Sequence, residues 1–261
     1  YGHFNGYPFS IDATQASGGS TDWAVAAPAG RDFPQYGALN ASPPEIYSLA
    51  TTGPLATPNT AVQVNHIGSY FGPLKIDTGI APFQDELTAA ERKALRLPST
   101  GNLFQAFDGL ELWNGETRGA QNSFLQERIG VWFNHLNQGI PITFIADTDT
   151  HEFFNLRSAG ARTWTAASND EPDRIDPQEV GHAILTGRAV GGQGPYVQAR
   201  LHAADGSNRS ADLGFDGVTT VQTSNGSVEL EIDIQAPLWA AYDRIEIYAN
   251  ATTHPNGAYA Y

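Results

Sequence analysis

The segment Asp147-Thr-Asp149-Thr-His151 sets carboxylates and an imidazole at alternate positions. In an extended chain alternate side chains share a face, so Asp149 and His151 are expected to enter one pocket together. Carboxylate plus imidazole suits Zn²⁺, Mn²⁺ or Fe, which accept hard oxygen and borderline nitrogen ligands in one site. Asp147 has the same parity and either joins them or orients a ligand from behind. The competing reading is a loop whose Asp side chains accept hydrogen bonds from neighbouring backbone N–H groups. This segment alone does not separate the two.

Other candidates are scattered. His66 follows Asn65 at the end of the apolar alternation Ala61-Val-Gln-Val-Asn-His66, and a backbone carbonyl would satisfy it as readily as a metal. His3 lies in the aromatic and glycine cluster Gly2-His-Phe-Asn-Gly-Tyr-Pro-Phe9, for which a disordered end is the alternative. Glu111 and Asn114 close another strand-like run on the same expected face and are candidate substrate contacts. Arg162 would meet an anionic substrate or form a structural ion pair. Asp205, Asn208, Asp212 and Asp216 offer oxygen ligands for Ca²⁺ without the spacing of an EF-hand, and a solvated loop fits them better. Nucleophile elbows, Walker loops, His-Glu-x-x-His motifs and Rossmann glycine fingerprints are absent.

Strands and helices must position these groups. Ser42-Pro-Pro-Glu45 and Thr88-Ala-Ala-Glu91 read as capped helix starts. Leu125, Ile129, Trp132 and Leu136 recur at helical spacing between Ser123 and Gln138, and Gly139 is placed to end that helix. Asp176-Pro177 opens another, closing near Gly187. Between them, Ala61–His66, Gly109–Trp113, Pro141–Ala146 and Ala161–Thr165 read as strands. Alternation of strand and helix predicts a parallel α/β layout with its chemistry at the polar strand ends. Beyond Gly194-Pro195 the helical period vanishes. Val197/Ala199/Leu201, Val228/Leu230/Ile232/Ile234 and Ile245/Ile247 alternate as in a small antiparallel domain.

Composition narrows the function. The 261 residues carry 28 acidic and 14 basic side chains, a formal charge of −14, with only two lysines, Lys75 and Lys93. Such a chain is not built to line a nucleic-acid groove. With 41% apolar and 16% charged residues it can bury a core, yet polar residues interrupt every run that a membrane span would need. Cysteine is absent, excluding disulfides and thiolate metal sites, and methionine is absent as well, which reads as a processed product. Few lysines beside abundant Asn, Thr, Ser, Gly and Gln suggest an extracellular or periplasmic protein.

Three blocks carry a resemblance: Asn65-His66, Phe107-Asp-Gly-Leu-Glu-Leu-Trp-Asn-Gly115 and Val131-Trp-Phe-Asn-His-Leu-Asn-Gln-Gly139. With Asp147–His151, Gly187-Arg188 and Gly194-Pro195-Tyr196, they resemble the PHP superfamily (polymerase and histidinol phosphatase-like) in its CehA/McbA-type metallohydrolase branch. The resemblance implies the C-terminal part of a distorted seven-stranded β/α barrel over residues 1–194, lacking its first strands. A β-sandwich-like domain would follow over residues 195–261. It implies His3, His66, Asp149 and His151 as metal ligands, with Asp147 and Asn65 behind them, around two or three divalent ions (Zn, Mn or Fe). The family's remaining ligands would precede residue 1. A complementary N-terminal fragment of the same precursor is therefore expected as partner, and the chain alone should be inactive. The implied function is a metal-dependent phosphoesterase or related ester hydrolase using metal-activated water. The alternative is a non-catalytic extracellular structural protein, a homo-oligomer or a component of a surface assembly, that keeps one structural metal or calcium site.

Overall fold

A computed structural model describes residues 3–15, 18, 43–65, 107–115, 129, 132–133, 136, 141–150, 160–217, 219–249, 252–253 and 259–260. Its largest sheet has four strands in the order β1-β2-β3-β4, comprising His3–Phe9, Ala56–Asn65, Gly109–Asn114 and Thr143–Asp147. β2, β3 and β4 run parallel, whereas β1 lies antiparallel on the outside of β2, with His3 opposite Asn65. Central strands of a parallel sheet are covered on both faces and read as continuous burial. Ala61 through Val64 are accordingly all buried, as are Gly109 through Leu112.

One face of this sheet is apolar throughout. Val62, Val64, Leu110, Leu112 and Ile142 pack with Phe107 and with Ala50 of α1 (Pro43–Thr52), and Phe4, Tyr47, Trp132 and Phe144 close the cluster. Fully burying side chains of this size stabilises by roughly 1.5–3 kcal/mol each. The Trp132 indole donates to the Ile142 carbonyl at 2.8 Å, so its polar atom is satisfied inside the apolar layer. Ile129, Trp132, Phe133 and Leu136 are helical, as their spacing predicts.

The opposite face is divided. Its lower half is apolar, where Ala61 and Ile145 pack against Ile184 of α2 (Pro177–Leu185). This helix starts on the Asp176 cap, whose carboxylate accepts the Gln178 N–H at 2.9 Å. It lies so close to the sheet that a Cβ at Gly181 would overlap the Asn59 carbonyl and the Pro8 ring. The upper half of the same face is polar and forms the site described below.

β5 (Arg162–Thr165) and β6 (Ala189–Gly192), with α2 between them in the chain, form a separate two-stranded antiparallel sheet beside β4. Here a side chain does what a strand would otherwise do. Thr163 Oγ1 accepts from Ala146 N at 2.9 Å and donates to Ala146 O at 2.8 Å, closing the free edge of β4. A third sheet, in the order β8-β7-β9, is antiparallel and comprises Ser210–Leu213, Tyr196–Ala203 and Val228–Gln235. β10 (Thr252–Thr253) and β11 (Tyr259–Ala260) make a short ladder of their own.

This architecture corrects the barrel expectation. A barrel strand needs two hydrogen-bonded neighbours, but the four-stranded sheet is open among the described residues. It ends in antiparallel β1 on one side and in the Thr163 contact on the other. The α/β character and the parallel β2–β4 run are present; the expected portion of a seven-stranded β/α barrel over residues 1–194 is replaced, among the described residues, by discrete sheets. The sandwich is corrected too, since one three-stranded sheet takes its place. Residues 241–248, where Ile245 and Ile247 alternate, form no ladder among the described residues, and both side chains are more than half exposed. The helix start at Thr88 lies outside the described residues. Among the described residues no helix is long and apolar enough to cross a membrane.

Candidate functional site

Register brings the polar half-face together. Gln63 pairs with Gly109 and Gly109 with Thr143, so Gln63 and Asn65, Glu111, and Thr143, Ile145 and Asp147 share one face of the parallel strands. From the other side Asn5 pairs with Gln63, and Tyr7 with Ala61. An irregularity between Glu111 and Trp113 then shifts β3 so that Asn114 comes level with Asp147. Polar residues thus accumulate where the parallel strands reach their carboxyl ends, the place at which open α/β sheets hold ligands.

Gln63 is the hub, 3% exposed. Its Nε2 donates to Asn65 Oδ1 at 2.7 Å and to Asp147 Oδ2 at 3.0 Å, while its Oε1 accepts the Tyr7 hydroxyl at 2.9 Å. Both amide hydrogens and the carbonyl are engaged, which fixes the amide's orientation. Tyr7 is held as a neutral phenol: burial, then the charges of Asp147 and Asp108, push its pKa well above the ordinary value. The remaining Asp147 oxygen accepts the backbone N–H of Asp149 at 3.2 Å. Beside this network Glu111 is fully buried and accepts from Asn114 Nδ2 at 2.5 Å. Trp113 comes level with Ala146 and so belongs to the other face of the sheet; its indole N–H is buried without a hydrogen-bond partner among the described residues.

At the amino end of β3, Asp108 Oδ2 accepts the Val62 N–H at 2.8 Å, and the Tyr47 hydroxyl donates to Oδ1 at 3.4 Å. Burial pushes the Asp108 carboxyl up to about 6 despite these two bonds. Tyr47 is pushed up to about 12 by its own burial and by Asp108.

The sequence candidates are distributed as follows. Asn65, Glu111, Asn114 and Asp147 meet at the carboxyl edge. Asp149 follows β4, but with φ of 48° it turns through the left-handed region. Strand alternation therefore stops at Asp147, and the shared face inferred for Asp149 and His151 has no strand to create it. His3 is placed by its backbone opposite Asn65; His66 and His151 lie outside the described residues. Arg162 is exposed at the start of β5, its guanidinium carbon 6.0 Å from the Trp164 ring centroid. Sequence reasoning missed Gln63, Tyr7 and Thr163. The available signal was Gln63, an amide in the middle of an apolar run and in phase with Asn65.

Among the described residues no three His, Cys, Asp or Glu side chains are grouped so as to hold a metal ion. The metal-dependent phosphoesterase expectation is corrected on this finding, together with its Zn, Mn or Fe centre. The calcium expectation falls for a direct reason. Asp205 accepts from Ser207 N, Ser224 N and Arg209 Nη2, at 3.0, 2.7 and 2.7 Å. These donors, chiefly Ser207 and Ser224, hold its carboxyl well below the usual carboxylate range. Asp212 turns instead to Gln198 at 2.8 Å, Asp216 accepts the Asp212 N–H at 2.7 Å, and Asn208 is exposed. The acidic groups tie loops together.

No protein-family model, curated protein or solved structure matches the chain. The PHP resemblance is thus unsupported by comparison as well as by the open sheet.

Proposed function

We propose that the chain is an exported binding protein whose carboxyl-edge network holds a small, uncharged, hydroxyl-rich ligand of the carbohydrate type. The observation that carries this reading is the convergence of amide, phenol and carboxylate groups from β1, β2, β3 and β4 at one end of a parallel sheet. Sugar hydroxyls both donate and accept. The carboxylates of Asp147 and Glu111 accept hydrogen bonds from them, while the Asn114 amide donates to them. Export is supported by the low lysine content and the polar, uncharged composition.

Titration calorimetry against neutral mono- and disaccharides, with tryptophan fluorescence in parallel, tests the reading. Saturable binding is expected for at least one sugar, weakened about tenfold or more in Asp147→Asn and Asn114→Ala by loss of a ligand hydrogen bond. Absence of binding by all of them up to about 50 mM, weaker than any useful recognition, would overturn it. So would binding that ignores both substitutions.

A further inference from the structure

A groove of about 480 Å³ opens beside the first turns of α2, far along the chain from the β3 and β4 ends. Asn59, Ser168, Asp176, Glu179, His182 and Arg188 line it. Arg188 is anchored through Nε, which donates to the Phe215 carbonyl at 2.8 Å; its two terminal nitrogens have no hydrogen-bond partner among the described residues. Glu179 is anchored through one oxygen only, Oε2, which accepts from Ser168 N at 2.8 Å and Ser168 Oγ at 2.9 Å. Asp176 likewise commits Oδ1 alone, to the Gln178 N–H.

Glu179 and Arg188 are opposite charges that line one groove without forming an ion pair. They do sense each other. The Glu179 carboxyl is held below its ordinary range, first by the Ser168 bonds and to a smaller extent by the Arg188 charge. Each therefore presents a fixed, half-committed charged group to the same space. A lone anion at Arg188 meets the field of Glu179 and Asp176, and a lone cation at Glu179 meets the field of Arg188. A molecule carrying both signs a few ångströms apart satisfies both ends.

We propose that this groove binds a small zwitterion of the free amino-acid class. Its carboxylate docks on the terminal nitrogens of Arg188, where a planar fork matches two oxygens. Its ammonium group docks on Glu179 Oε1 and Asp176 Oδ2. The His182 imidazole, without a hydrogen-bond partner among the described residues, faces the ligand's side chain and selects among amino acids. A volume of this order falls within the range of small-ligand sites. The inference is independent of the carboxyl-edge reading, since no residue is shared.

The test is amide chemical-shift mapping on the full labelled chain with glycine, L-serine and L-phenylalanine, each against its N-acetyl and C-amide forms. Shifts confined to residues 166–168 and 176–188 are expected for the free amino acids, with affinity at least about tenfold weaker once either charge is blocked. Glu179→Gln keeps an oxygen for Ser168 but removes the charge, and should weaken binding by a similar factor. Arg188→Lys keeps the charge and loses the fork, and should weaken it as well. Unchanged spectra outside the groove show that the variants are folded. Equal affinity for free and blocked forms, indifference to Glu179→Gln, or no shifts with any of the three amino acids at about 20 mM would overturn the proposal.

Discussion

Asp108→Asn should stabilise the protein at pH 8 and leave it nearly unchanged at pH 4. The native carboxyl is buried between β2 and α1 and titrates at about 6, against an ordinary value of 3.8. Between those two values the folded chain keeps a proton that the unfolded chain has released. The folded state then binds more protons, so stability falls as pH rises through this window. Above pH 6 the native carboxylate is ionised in both states, and the full difference of about 2 pK units corresponds to about 3 kcal/mol. Asparagine cannot ionise. Its carbonyl still accepts the Val62 N–H, and its amide can donate to the Tyr47 oxygen, so the two bonds that hold this position survive. The expected gain at pH 8 is therefore up to about 3 kcal/mol, or a melting shift of several degrees for a chain of this size. Urea unfolding followed by tryptophan fluorescence at pH 4, 6 and 8 measures it. The informative quantity is the difference between the wild-type and Asp108→Asn curves, because other carboxylates cancel in it. A difference that stays flat with pH, or that favours the wild type as pH rises, would refute the assignment of a raised Asp108.

Two further outcomes follow from packing and from the free edge of β4. Thr163→Val removes both hydrogen bonds to Ala146 with little change in volume and should cost about 2 kcal/mol; amide exchange at Ala146 should accelerate, and Thr163→Ser should restore most of its protection. Gly181→Ala places a methyl group against the Asn59 carbonyl and the Pro8 ring, so it should destabilise by about 1–3 kcal/mol despite alanine's better helix propensity. A Gly181→Ala variant that melts above wild type would show that α2 has more room than the geometry gives it.

The sequence was most legible where one face of an element is apolar. Leu110 and Leu112, Ala61 to Val64, and the Asp176-Pro177 cap each announce an element that forms close to where the pattern puts it. Ser210–Leu213 escaped notice because only two of its four residues are apolar; it is a strand through its pairing with Ala199–His202. Ile245 and Ile247 gave the reverse error, since alternation describes a strand's faces but supplies no neighbour to bond its backbone. The sequence points to Asp147 and Asn65 but not to the amide that joins them. Alternation was extended past Asp147 into a residue with positive φ, and the amide that engages Asp147 comes from Gln63, 84 positions earlier in the chain. Thr163 was illegible for the same reason. A threonine that closes a distant strand's edge looks like any other strand threonine until the chain is folded.

That threonine also sets a limit on assembly. An exposed strand edge is a template on which another chain can add, and a row of such additions is how sheets grow from molecule to molecule. By occupying both backbone groups of Ala146, Thr163 takes that rung out of the template: an incoming strand would have to displace it to pair there. One hydroxyl group thereby disfavours the growth of sheets from molecule to molecule through β4.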